Sequence, residues 1–111
     1  MPRIVLAATG VAYNIATLCR AQVASFPVAP RQVRIQMPIA AIEAANTAAS
    51  FTKIGQPNST TSPTSVNQPG VVLTAGDAPQ VWGDGGMSSV PVDDWWANAS
   101  VVNAVLYVDA T

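Results

Sequence analysis

Histidine is absent from the chain, and with it the commonest general base and the commonest metal ligand. Cysteine occurs once, at Cys19, so neither an intrachain disulfide nor a cysteine-based zinc site can form. With no imidazole to activate it, a single thiol after Thr17 and Leu18 reads as a small buried hydrophobe. Charge is equally scarce. Only 10% of the residues are Asp, Glu, Lys or Arg, against about 25% in an ordinary domain. Five basic residues against six acidic ones exclude a polybasic nucleic-acid binder, which needs clustered Lys and Arg to neutralise phosphates. Disorder is excluded too, because half of the residues are apolar and the net charge is −1. Long apolar runs are missing as well. Gly10 and Asn14 interrupt the stretch from Ile4 to Leu18, and Arg20 ends it short of the roughly 20 residues that span a bilayer. No membrane partner is expected.

A chain of 111 residues is one domain's worth. Surface scaling gives about 5,800 Å² exposed when folded, with about two-thirds of the unfolded surface buried. Such a core needs no metal and no cofactor, and none is expected. Arg3 before an apolar stretch, with Ala24-Ser25-Phe26 after it, loosely resembles a secretory signal. The interruptions favour reading residues 1–26 as part of the fold instead. The Asn-x-Ser/Thr tripeptides at Asn58 and Asn98 then carry little weight.

Arg3 to Ala8 is a short β-branched run and reads as a first strand. Asn14 stands where an N-cap would, ahead of a short helix from Ile15 to Val23 with Ile15, Leu18, Cys19 and Gln22 on one face. Pro27 and Pro30 end it. Gln32 to Met37 alternates with period two, placing Val33, Ile35 and Met37 on one side of a half-buried strand. Ile39 to Ala49 is alanine-rich and fits either a helical turn with Ile39 and Ile42 inward or a long loop. Further strands are expected over Ser50–Ile54, Val71–Leu73, Ala78–Trp82 and Val101–Val108. Turns belong at Ala75-Gly76-Asp77 and at Gly83-Asp84-Gly85-Gly86. The run from Gly55 to Gly70 is Pro, Ser, Thr and Asn, which cannot fill a core and reads as a long exposed loop. Together these predict an all-β chain: a small antiparallel β-sandwich or jelly-roll-like barrel with one short helix near the N-terminus.

Nothing in the sequence points to a reaction. Glu43, Asp77, Asp84, Asp93 and Asp94 could supply a carboxylate pair, but Asp93 and Asp94 are neighbours that fit a short turn before Trp95 better than a cleft. The glycine turn at 83–86 lacks the Lys and Ser/Thr of a phosphate loop, Met87 standing in their place, and offers only Asp84 to calcium. No catalytic residue, metal ligand or enzymatic activity is therefore expected.

Trp82, Trp95 and Trp96 are the side chains to watch. Neighbours on a strand face opposite ways, so Trp95 and Trp96 cannot share one core, and the outward one suits a partner or a sugar. Eleven charges also cannot cover the expected surface, which suggests self-association.

One family likeness runs through most of the chain. It is carried by Asn14-Ile15-Ala16-Thr17-Leu18, Val33-Arg34-Ile35-Gln36, Asn46 with the small-residue run into Lys53-Ile54-Gly55, and Gly70 to Asp77. Val90-Pro91-Val92-Asp93-Asp94-Trp95-Trp96 and Val105-Leu106-Tyr107-Val108 complete it. In these features the chain resembles the small β-sandwich virion proteins of tailed bacteriophages that decorate or cement the capsid. The resemblance implies a non-enzymatic protein on the capsid surface that bridges neighbouring major capsid protein subunits as a homo-oligomer, a trimer by preference. Interface residues would come from the N-terminal strand (Pro2, Ile4, Leu6) and the long loop (Asn58, Thr60, Pro63, Val66), together with Trp82, Trp95 and Trp96. A fibre or head–tail connector component is the near alternative. A carbohydrate-binding or adhesin-like module is the alternative of another class, with Trp82 and one of Trp95 and Trp96 as its platform.

Overall fold

Short alternating segments become strands, and most of them bury one side. The computed structural model of the chain describes residues 2–55, 71–83 and 89–111. In chain order the elements are β1 (Arg3–Leu6), β2 (Tyr13–Asn14), helix α1 (Ile15–Gln22), β3 (Val33–Gln36), β4 (Phe51–Gly55), β5 (Val71–Thr74) and β6 (Gln80–Trp82). A 3₁₀ turn over Val92–Asp94, β7 (Trp96–Ala99) and β8 (Ala104–Ala110) complete it.

The eight strands form two four-stranded sheets, ordered β1-β8-β3-β6 and β2-β7-β4-β5, with every pairing antiparallel. The pairs are nested: β1 with β8, β2 with β7, β3 with β6 and β4 with β5. That is one long antiparallel ribbon, folded over so that alternate segments fall in opposite sheets. It is the wrapping of a jelly roll. The sheets face each other as an open sandwich rather than a closed barrel.

The two inner faces are unequal in size. The first sheet contributes Ile4, Leu6, Val33, Ile35, Leu106 and Val108, all fully buried. The second answers with small residues, Ala97 and Ala99 beside Ile54 and Leu73. Large against small lets the faces interdigitate at core density. The space left at the side is filled by α1, which buries Ile15, Ala16 and Cys19. Asn14 caps that helix, its Oδ1 accepting the Thr17 N–H at 2.9 Å, and its Nδ2 donates to the Asp93 carbonyl at 2.8 Å. One residue thus starts the helix and ties it to the turn before β7.

Of the two readings open for Ile39 to Ala49, the long loop is the one observed: residues 38–50 form turns, and the Ile39 and Ile42 side chains are exposed. The last strand starts at Ala104 rather than Val101, because Asn103 takes a left-handed backbone with φ of 56° that no strand accommodates. Of the helix face expected from Ile15, Leu18, Cys19 and Gln22, the fold buries Ile15 and Cys19 together with Ala16, leaving Leu18 partly buried and Gln22 exposed. The loop expected over 55–70 lies outside the described residues from position 56 onward.

Candidate functional site

The aromatic residues divide cleanly. Trp82 pairs with Val33 across β6 and β3, so it shares the inner face. Trp95, which precedes β7, is buried, and its ring meets Trp82 at 4.7 Å between centroids with a 56° tilt. The two indoles pack on each other as an aromatic pair. Gly83 follows Trp82 with φ of +80°, and a Cβ there would collide with the Arg31 carbonyl oxygen, so the chain passes Arg31 only because position 83 is glycine. Trp96 is on the other side of its strand, half-buried on the outer face of the second sheet, opposite Asn14 and Gly55. Of the three tryptophans proposed for an interface, the fold leaves only Trp96 facing outward.

The N-terminal residues are used within the chain. Pro2 is buried, Ile4 and Leu6 are fully buried core residues, and β1 runs alongside β8. Its other edge is covered by side chains. The Gln22 amide accepts the Arg3 N–H at 3.1 Å and donates to the Arg3 carbonyl, standing in for a neighbouring strand. Farther along, Tyr13 Oη accepts the Ala8 N–H at 3.0 Å. An edge stoppered in this way is protected against pairing with another chain. Asn58, Thr60, Pro63 and Val66 lie outside the described residues.

The 38–50 loop brings together what the sequence did not announce. Past Gln36 the β3–β8 ladder would bring Pro38 opposite Val105, and proline has no N–H to offer. Asn46 takes its place. Its Oδ1 accepts the Val105 N–H, and its Nδ2 donates to the carbonyls of Val105 and Pro38, each at 2.9 Å. Glu43, three residues earlier, reaches the outer face of the first sheet, accepting from Arg3 Nε at 2.8 Å and Nη2 at 2.7 Å and from Tyr107 Oη at 2.5 Å. The Arg3 hydrogen bonds foremost, then the Tyr107 hydroxyl, hold its carboxyl down at about 2. The same hydrogen bond raises the Tyr107 phenol.

On the loop's exposed side, Ile39, Ala40, Ala41, Ala48, Ala49 and Ala75 line an apolar hollow of about 360 Å³. Ile42, beside it in sequence, is 63% exposed. A second hollow, of about 200 Å³, lies on the outer face of the first sheet between Arg34, Gln36, Tyr107 and Asp109. It belongs to a different chemistry from the first, one of hydrogen-bonding groups around a ring. Asp109 was not among the carboxylates singled out from the sequence; its place in the alternation of β8 is the signal that could have found it.

Of the candidate carboxylates, Asp84 lies outside the described residues, and the others are not drawn into one cluster. Asp93 pairs with Arg20 at 2.6 Å, Asp77 accepts the Thr74 N–H at 3.1 Å, and Glu43 is bound as above. Burial pushes the Cys19 thiol up to about 12, where it stays protonated. Among the described residues no three His, Cys, Asp or Glu side chains are grouped to hold a metal ion, and no helix is long and apolar enough to cross a membrane. Comparison with protein-family models, with curated proteins and with solved structures finds no match to this chain.

Proposed function

We propose that this protein is a non-enzymatic structural component that attaches to an assembled protein shell and cements it, as in the capsid-decorating proteins of tailed bacteriophages. In this reading it sits on the capsid surface as a homo-oligomer and bridges neighbouring subunits of the major capsid protein. The observation that carries it is the apolar surface of the 38–50 loop. Ile39, Ile42 and the surrounding alanines turn outward, with no charged residue among those lining the hollow. An exposed apolar patch of this kind marks an association surface. The wider surface agrees, since eleven charged residues serve 5682 Å² of accessible area. The jelly-roll wrapping supports the reading by analogy alone, because viral capsid domains use it and so do unrelated proteins.

Cement of this kind works by mass action: it binds the assembled lattice and not the free subunit, and so stabilises the lattice. The test has two stages. Light scattering on the purified chain over a wide concentration range should show a discrete trimer or larger ring. Cosedimentation with DNA-free tailed-phage heads stripped of their decoration protein should then recover the chain in the pellet. Ile42→Asp changes an exposed side chain, so it should leave the fold intact and abolish both results. A chain that stays monomeric and leaves the heads unbound would overturn the proposal.

A further inference from the structure

The 200 Å³ hollow on the outer face of the first sheet is built from the register of three strands. Arg34 of β3 is directly opposite Asp109 of β8, Gln36 is opposite Tyr107, and Arg3 of β1 flanks Tyr107 from the other side. Paired residues of an antiparallel ladder share a face, so all five side chains rise together from the sheet. Their bonding is sharply divided. Arg3, Glu43 and the Tyr107 hydroxyl consume one another, and this fixes the tyrosine from the β1 side. The side chains of Arg34, Gln36 and Asp109 make no hydrogen bond or ion pair among the described residues. Arg34 and Asp109 are direct cross-strand partners of opposite charge, yet they form no ion pair within 4 Å.

We infer that this hollow is a binding site for a neutral saccharide, with Tyr107 as the ring platform and Arg34, Gln36 and Asp109 as the hydroxyl-binding groups. The inventory fits that ligand class. A guanidinium supplies paired donors, a carboxylate paired acceptors and an amide one of each, all planar and suited to vicinal hydroxyls. An aromatic ring is the group against which the C–H side of a pyranose packs, and Tyr107 supplies one to the lining. The two charges cancel, so the site does not select an anion such as a phosphate ester. Immobilising Tyr107 in advance spares the ligand the cost of ordering it. Asp109 also lines an adjoining hollow of about 280 Å³ with Ser25, Phe26 and Pro27, so a second sugar unit has room beside the first. The tryptophans lack such company: Trp82 and Trp95 are spent on each other, and Trp96 faces Gly55 and Asn14.

The test is a titration of the full ¹⁵N-labelled chain with cellobiose, maltose and chitobiose, read by amide chemical shifts. At least one should shift Val33–Gln36 and Tyr107–Ala110 together, and saturate. Arg34→Ala and Asp109→Asn remove groups with no partner among the described residues, so the fold should persist. Each should weaken binding about tenfold, the equivalent of one hydrogen bond to a charged group. Trp96→Ala should leave it unchanged. The inference is overturned by no shifts with any of the three sugars, by shifts that survive both substitutions, or by tighter binding of inorganic phosphate at the same residues. Shifts on this face that follow protein dilution without sugar would also overturn it, and would identify a contact between copies.

Discussion

Asn46 and Asn98 are the same residue at almost the same depth, 0% and 1% exposed, and the fold treats them in opposite ways. Asn46 makes three hydrogen bonds to main-chain atoms and completes a strand that Pro38 cuts short. Asn98 is on the outward side of β7, paired across the ladder with Lys53, and neither its Oδ1 nor its Nδ2 finds a partner among the described residues. Burial by itself therefore says little about what an amide contributes. An amide inserted into a gap in a ladder substitutes for backbone, whereas one that is only covered carries its desolvation cost uncompensated.

The sharpest way to break this comparison is Asn46→Ala. It strands the Val105 N–H and leaves the carbonyls of Val105 and Pro38 one donor short, each stranded group costing about 1–3 kcal/mol. The expected loss is about 3–5 kcal/mol by urea denaturation, a large part of the 5–15 kcal/mol typical of a domain. A loss under about 1 kcal/mol would mean that water replaces the amide, and the surrogate-strand account would fail. Asn98→Leu runs the other way. Replacing an unpaired buried amide by an apolar group of similar branching should leave stability unchanged or raise it by about 1–2 kcal/mol. A marked fall in the same assay would reveal a partner for Asn98 and erase the contrast.

The smallest effect concerns the charge beside Asn46. Glu43 has its carboxyl at about 2 in the folded chain against an ordinary value of 4.5. A depressed folded pKa means that the unfolded chain binds the proton first. The contribution is therefore complete above about 4.5 and is lost as pH falls toward 2. The Glu43→Gln variant should show a flatter fall in urea midpoint through that window than the parent chain. Parallel curves would mean that solvent screens the Arg3 and Tyr107 contacts, as it does for many exposed ion pairs.

Local pattern carried the strands well. Period-two alternation put Val33, Ile35 and Met37 on the buried side, and all three are fully buried. The N-cap at Asn14 was equally visible, because a cap is decided within four residues. The two short strands of the second sheet were harder to see. β2 has two residues, too few for a period, and β7 reads Trp-Ala-Asn-Ala, whose inward side is alanine rather than a large apolar residue. The interface candidates fared by geometry. Ile4 and Leu6 carried the apolar signal of a contact surface, but their contact is with this chain's own core. The alternation of β8 could have singled out Asp109, but not its meeting with Arg34, because the two become neighbours only through the β3–β8 ladder.

Which residues point inward, where the helix begins and how little charge the surface carries follow from composition and from rules that reach four residues or fewer. Which strands lie side by side does not. The nesting of β1 with β8 and β2 with β7, the Trp82–Trp95 contact and the reach of Asn46 to a residue 59 positions away are long-range choices. They were settled when two unequal faces packed together and every backbone group left over by a proline or an edge had to find a partner.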